Sequence, residues 1–353
     1  MIRRYMMETA KPKKKHRILR TILKVLGIIL AVILVAVVIL AIRNYILSKS
    51  DKKLYADAYG EFYTTDSGDR INYTFYDSSS DRVAVILPGY GSASAHYEFD
   101  TLAKRINGDY KLVIVDPIGV GLSDETDTPR TVENYCTELH GLMEHLGYDR
   151  YTIIGHSIAG LYSLYYANQY ADEVEAFIGI DASVPHQVDS DEWMAKPDNQ
   201  YKVYKVLRAA FVKTGIYRVV TELGMDAIME QIPTLTEADR DIVRAMNCSV
   251  PMNDTQMNEM KLLGKSIETC YDMKFPETLP VLYVLSNDNC ERMAQWEPMH
   301  KELVTDPRSR VVSIDGTHYL HHTNLDGLLS EMYGWECFAG SGITVSENNE
   351  EAA

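Results

Sequence analysis

"IIGHSIAGLYSLYYA", residues 153–167, sets one serine between a β-branched apolar run and a helical one. Gly155 stands two places before Ser157, and Ala159 and Gly160 stand two and three places after it. A very sharp strand-to-helix turn crowds the residues around its tip, so only small side chains fit there, in the pattern G-x-S-x-G. Here the fifth position is alanine and the glycine comes one place later. A helix-entry serine serving as an ordinary N-cap gives the same local string, so the surrounding chain has to decide between the two.

Outward from this stretch the apolar runs recur at regular intervals. "RVAVILPG" (82–89), "KLVIVDP" (111–117), "YTIIGH" (151–156) and "VEAFIGID" (174–181) are short and β-branched, and each is followed by a polar or helical stretch. Continuous apolar strands alternating with helices predict a mostly parallel sheet covered on both faces. "EFYTTDSGDRINYTFYDSS" (61–79) reads as two strands around an S-G-D turn. "TVENYCTELHGLMEHLGY" (131–148) reads as a helix capped by Thr131, with Leu139, Leu142, Met143 and Leu146 toward the sheet and His140 and His145 toward solvent. From about 186 to 275 no strand-like run occurs, only amphipathic segments such as "YKVYKVLRAAFVKTGIYRVVTELG" (201–224). Strands resume at "LPVLYVLS" (279–286) and "SRVVSIDG" (309–316). The helical block is expected to hang as a cap over the carboxyl ends of the strands, where open α/β sheets bind ligands.

Charge divides the chain sharply. Residues 1–50 hold 11 Lys and Arg against Glu8 alone, so the −15 of the whole chain becomes −25 beyond them. An outer portion this acidic argues against a nucleic-acid partner, which wants a basic stripe. "VLGIILAVILVAVVILAI" (25–42) carries no charge, and with the apolar residues from Ile18 it is long enough to cross a hydrocarbon core. Nine Lys and Arg precede Val25, against Arg43, Lys49, Lys52 and Lys53 after Ile42. The excess predicts a cytoplasmic N-terminus and the remaining chain outside. Residues 1–17 then form a basic cytoplasmic tail, 18–42 a transmembrane anchor and 43–59 a linker; 60–338 form the main domain and 339–353 a disordered acidic tail. The apolar run is long for a cleaved signal peptide, and the A-x-A string Ala56–Ala58 lies well beyond it. The five cysteines lack metal-type spacing; a Cys248–Cys270 bridge is conceivable and free buried thiols are the default.

A nucleophilic serine needs a base, and the base needs an acid to orient it. His318 lies in "SIDGTHYLHHTN" (313–324), just after the last expected strand, and Asp288 in "YVLSNDNCE" (283–291), just after the strand before it. Each would stand at the carboxyl end of a different strand, in the chain order Ser157, Asp288, His318. Asp181, one strand earlier, is the alternative acid. The glycine-rich turn in "ILPGYGSAS" (86–94) can aim backbone N–H groups at a developing negative charge; those of Tyr90 and Ile158 are the expected pair. "GYGSAS" has neither the lysine nor the spacing of a phosphate loop. His321 and His322 read as surface or packing residues, a metal site lacking a carboxylate partner, and His96 as a loop residue able to line a pocket.

With "LPGYGSAS", "VDPIGVGLSD" (115–124), "IIGHSIAG", "VLYVLSND" and "DGTHYLHH" in this order, residues 60–335 resemble the capped branch of the α/β-hydrolase fold superfamily. The resemblance implies an eight-stranded, mainly parallel sheet and an acyl-enzyme route with Ser157 as nucleophile and His318 as general base. It implies no metal and no organic cofactor. A serine at this turn disfavours the epoxide hydrolases and haloalkane dehalogenases of the fold, which carry aspartate there. The expected function is a membrane-anchored hydrolase of a small-molecule or lipid ester: carboxylester, thioester or lipid. A peptidase, an amidase, an acyltransferase or a non-catalytic binding protein on the same scaffold are the alternatives. Oligomeric state is not legible.

Overall fold

The computed structural model of the chain describes residues 13–190 and 197–339. Most of the expected basic tail and nearly all of the expected acidic tail lie outside the described residues. Eight strands form one sheet in the order β1-β2-β4-β3-β5-β6-β7-β8. The antiparallel edge is β1 (Glu61–Thr64) and β2 (Arg70–Tyr76), the latter running against β4 (Lys111–Asp116). From β4 onward, β3 (Val83–Leu87), β5 (Tyr151–His156), β6 (Val174–Ile180), β7 (Val281–Ser286) and β8 (Arg310–Ile314) are parallel. β3, β5 and β7 are buried along their whole length, which is why they read as unbroken apolar runs rather than alternating ones.

Helices cover both faces. On one lie α3 (Val132–His145) and α4 (Ala159–Gln169); α2 (Ala95–Ile106) packs on the other. α3 begins where its capping residue predicts: the Thr131 side chain accepts from the Asn134 N–H. Leu139, Leu142 and Met143 are buried as expected, and Leu146 is half-buried at the end of the helix. All five cysteines are free thiols, with Cys136, Cys248 and Cys270 buried.

Between β6 and β7 the chain is helical in every described element. α5 (Gln187–Ser190), α6 (Pro197–Leu207), a π-helical turn (Arg208–Val212), α7 (Ile216–Glu230), α8 (Glu237–Ser249) and α9 (Asp254–Cys270) form this block. The start of α9 rests on the carboxyl edge of the sheet: Gln256 donates to the carbonyls of Ser92 (3.3 Å) and Gly119 (3.1 Å). The block therefore covers the loops that follow β3 and β4.

The N-terminal apolar run belongs to one helix, α1 (Lys13–Tyr55), long and apolar enough to cross a membrane. It does not end at Ile42. The stretch expected as a linker from 43 stays helical to Tyr55, because one of its faces is bonded to the helical block. Arg218, itself buried, reaches Asp51 (2.7 Å), Asn44 Oδ1 (2.8 Å) and Ser48 Oγ (3.0 Å). Arg43 pairs with Glu222 at 2.9 Å, and Tyr55 is buried with its hydroxyl 3.1 Å from that of Ser249.

Candidate active site

Ser157 follows β5 directly and takes a left-handed φ of +53°. A non-glycine residue held there is strained, as expected of a nucleophile raised on a tight turn. The turn is pinned from three sides. The Ser157 N–H donates to the Ile180 carbonyl at 3.3 Å, and the Ser157 carbonyl accepts from Ser183 N–H (2.7 Å) and Gly160 N–H (2.9 Å). This close approach explains the displaced glycine. A Cβ on Gly160 would stand 2.6 Å from both the Ala182 Cβ and the Ser183 carbonyl, whereas the Ala159 Cβ sits beside Gly155, at 3.2 Å from the Cβ that Gly155 lacks. Gly160→Ala is therefore expected to lower unfolding free energy by about 3 kcal/mol through overpacking against backbone, measured by urea unfolding; an unchanged midpoint would show that the turn can yield.

His318 lies in the loop after β8 and brings Nε2 to 2.9 Å from Ser157 Oγ. Its Nδ1 is 2.7 Å from Oδ2 of a buried carboxylate, and that carboxylate is Asp181, not Asp288. Asp181 follows β6, the strand paired with β5, so its side chain enters the same corner as the serine. Asp288 instead occupies the first turn of α10 (Asn287–Arg292) and is exposed. Its neighbours in that loop serve Asp181: Ser286 donates through N–H (3.0 Å) and Oγ (2.9 Å), and Asn289 donates through its amide. Trp296, opening α11 (Trp296–Leu303), adds Nε1–H at 2.9 Å. Burial works to raise the Asp181 pKa, but the His318, Ser286 and Trp296 hydrogen bonds outweigh it and hold the carboxyl below its ordinary value.

The loop after β3 closes the other side. A Cβ on Gly89 would lie 2.9 Å from His156 Nδ1 and 3.0 Å from Ser157 Cβ, so only glycine lets this loop lie against the serine. Among the described residues, neither the Tyr90 N–H nor the Ile158 N–H has a hydrogen-bond partner, leaving both available to an oxyanion. The Tyr90 hydroxyl points away, donating to the Gln256 carbonyl at 3.0 Å. Gly89, Tyr90, Ser157 and His318 open on a cavity of about 510 Å³ whose other wall comes from the helical block: Tyr204 of α6, Met246 of α8 and Ile232 from the turn between α7 and α8.

Behind the site lies a cluster that the pattern of the sequence did not single out. His156 Nε2 donates to the His318 carbonyl at 3.0 Å, and its Nδ1 is 3.5 Å from Glu98 Oε1. His321, in α12 (Leu320–Thr323), brings Nε2 to 3.3 Å from the same oxygen. Of the two readings, surface or packing, His321 takes the second, buried against the sheet, and Glu98 supplies the carboxylate partner missing from the linear reading. Burial pushes the His321 imidazole down to about 3, keeping it neutral. Three donor atoms lie within 4.8 Å of one another here, the spacing of a possible cation site; the same contacts also tie the His318 backbone to the sheet. His96 is not at the cavity: it stacks on Tyr59 at 4.4 Å. The remaining elements, α13 (Leu325–Tyr333) and α14 (Glu336–Ala339), pack under the far face.

Comparison with known proteins agrees with this architecture. Residues 84–216 match the family described as alpha/beta hydrolase fold. An uncharacterized Bacillus subtilis protein, YbdG, is 23% identical over 279 residues, which is 75% of this chain and 81% of that one. A serine hydrolase-like protein of Danio rerio is 23% identical over 267 residues, 71% of this chain and 80% of that one. Wild-type Cfl2 from Burkholderia cenocepacia superposes with a TM-score of 0.60 at 16% identity, covering 78% of this chain and 94% of that one. Sheet order and sequence matches agree: the chain has the α/β-hydrolase fold, and its residues 84–216 match that family.

Proposed function

We propose that the protein is a serine hydrolase of ester-like substrates, held in a membrane by α1 with its catalytic domain outside the cytoplasm. The observation that carries this reading is the 2.9 Å contact between Ser157 Oγ and His318 Nε2, continued at 2.7 Å to Asp181. His318 takes the proton as Ser157 Oγ attacks the substrate carbonyl, and Asp181 orients the ring and stabilises the imidazolium. The Tyr90 and Ile158 N–H groups hold the developing oxyanion. Collapse of the tetrahedral intermediate breaks the bond to the leaving group, which receives the proton from His318. Water, deprotonated by the same imidazole, then attacks the acyl-serine and releases the acid.

The cavity lining favours esters over peptides. Apart from its histidines, the charged side chain lining it among the described residues is Glu98, whose Oε2 accepts from the Ser92 hydroxyl and whose Oε1 is buried facing His156 and His321. A peptide terminus would need a free carboxylate for its amine or a cation for its carboxylate. A neutral acyl group meets tyrosine, isoleucine and methionine instead. The test is fluorophosphonate labelling of the full chain in detergent, followed by kinetics on neutral acyl esters, thioesters and aminoacyl arylamides. Labelling with turnover of the neutral esters is expected. A folded protein that resists the probe would leave a binding role on a hydrolase scaffold, and preference for arylamides would make it a peptidase.

A further inference from the structure

We infer that the helical block docks on the outer leaflet of the membrane crossed by α1, with residues 201–223 as the contact face, so that the catalytic cavity draws its substrate from lipid. This rests on the proposed anchor and on Ser157 as nucleophile, and adds to them where the substrate comes from.

The first observation is how far down α1 the block reaches. Occluded positions on α1 recur at helical spacing, from Tyr55 through Asp51, Ser48, Asn44 and Leu40 to Val37. Val37 and Leu40 belong to the apolar run that ends at Ile42, and at 1.5 Å per residue Val37 lies about 8 Å below that end. Gly215, with φ +81°, packs so closely that a Cβ would stand 2.5 Å from the Leu40 carbonyl oxygen. The turn joining the π-helical segment to α7 therefore touches the spanning segment itself. A bilayer around α1 meets this turn at the depth of its interface.

The second observation is what the block presents there. Val206 is 65% exposed, Phe211 43%, Val220 62% and Leu223 83%. Lys202, Lys205, Arg208 and Lys213 accompany them, and the one acid between Tyr201 and Leu223 is Glu222, paired with Arg43, in an outer portion that is otherwise strongly acidic. Lys205, Lys213 and Lys261 line a cleft of about 310 Å³ together with Arg208, which pairs with Asp254. Apolar side chains interleaved with cations are the composition of a helix lying in a lipid interface, where the chains enter the acyl boundary and the cations meet phosphate.

The third observation links this face to the chemistry. Tyr204, on the same α6 that exposes Val203 and Val206, lines the catalytic cavity and packs edge-on against Tyr90 with ring centres 5.9 Å apart. One helix is both a wall of the cavity and part of the contact face, so a lipid ester has only a helix thickness to cross.

The test uses the full chain in vesicles of equimolar phosphatidylcholine and phosphatidylglycerol with brominated acyl chains. Phe211→Trp and Leu223→Trp are expected to lose emission to the bromines beyond the loss in the parent, which has three tryptophans of its own. Leu30→Trp in the apolar run reports the anchor separately, and fluorophosphonate labelling reports the site. The double variant Phe211→Ser/Leu223→Ser is expected to hydrolyse a vesicle-embedded long-chain ester about tenfold more slowly, through loss of two inserted apolar side chains, while a soluble short-chain ester is turned over as before. If Leu30→Trp is quenched and Phe211→Trp and Leu223→Trp are not, the docking is overturned. If the two sites are also shielded from aqueous acrylamide, a second protein surface covers them. An unquenched Leu30→Trp removes the anchor and the proposal with it. Quenching at both sites in a protein that the probe does not label keeps the docking and overturns the route to substrate.

Discussion

Ser157→Ala is expected to lower kcat on a neutral ester by about 10⁵ to 10⁶-fold, the loss seen when a nucleophile that works as a unit with its base is removed. This corresponds to about 7–8 kcal/mol of transition-state stabilisation. The change deletes one oxygen, the atom 2.9 Å from His318 Nε2, and leaves the backbone in the same left-handed conformation with the same three hydrogen bonds. Stability should therefore stay close to that of the parent, and KM for a soluble ester should change little. Retention of more than about a hundredth of the parent's kcat would mean that another group attacks the carbonyl. Stopped assays with and without covalent labelling distinguish that outcome from contamination.

Asp181→Asn is expected to reduce kcat by about 10⁴-fold, since an amide at this position favours the wrong imidazole tautomer and cannot stabilise the imidazolium. Asp288→Asn, on the exposed first turn of α10, should stay within about twofold of the parent, as surface substitutions do. The opposite result would restore the acid expected from the loop after β7. Stability carries a second signature. The Asp181 carboxyl is held below its ordinary value of 3.8, so the stability it contributes is present above that value and is lost as pH falls through the lower folded value. The parent should thus lose more unfolding free energy than Asp181→Asn when the pH is taken from 5 to below 3, measured by urea unfolding along the series. Equal slopes would show that the carboxylate is not held by its partners.

The two acids show why one part of the site was legible and another was not. Ser157 announced itself through neighbours two and three residues away, because a tight turn is a local steric problem and leaves a local record. His318 was legible through its place after the final apolar strand. The acid had no such mark. Both Asp181 and Asp288 lie just past a strand, and the loop after β7 closes into a short helix capped by Ser286, which turns Asp288 outward and aims Ser286 and Asn289 at Asp181. Glu98 was hidden for a related reason: it sits on α2, far in sequence from His156 and His321, and only the packing of that helix on the sheet brings the three together.

The same division holds for the rest of the molecule. Runs of apolar residues, their lengths and the breaks between them determined the α/β sheet, the helical block between its sixth and seventh strands and the long apolar N-terminal helix, since each depends on burial of side chains a few positions apart. Tertiary structure alone decided which carboxylate meets His318, that α1 continues past its apolar run, and that the block leans on that run at Gly215. Those outcomes depend on ångström-scale fits between segments tens to hundreds of residues apart, and no periodicity along the chain encodes them.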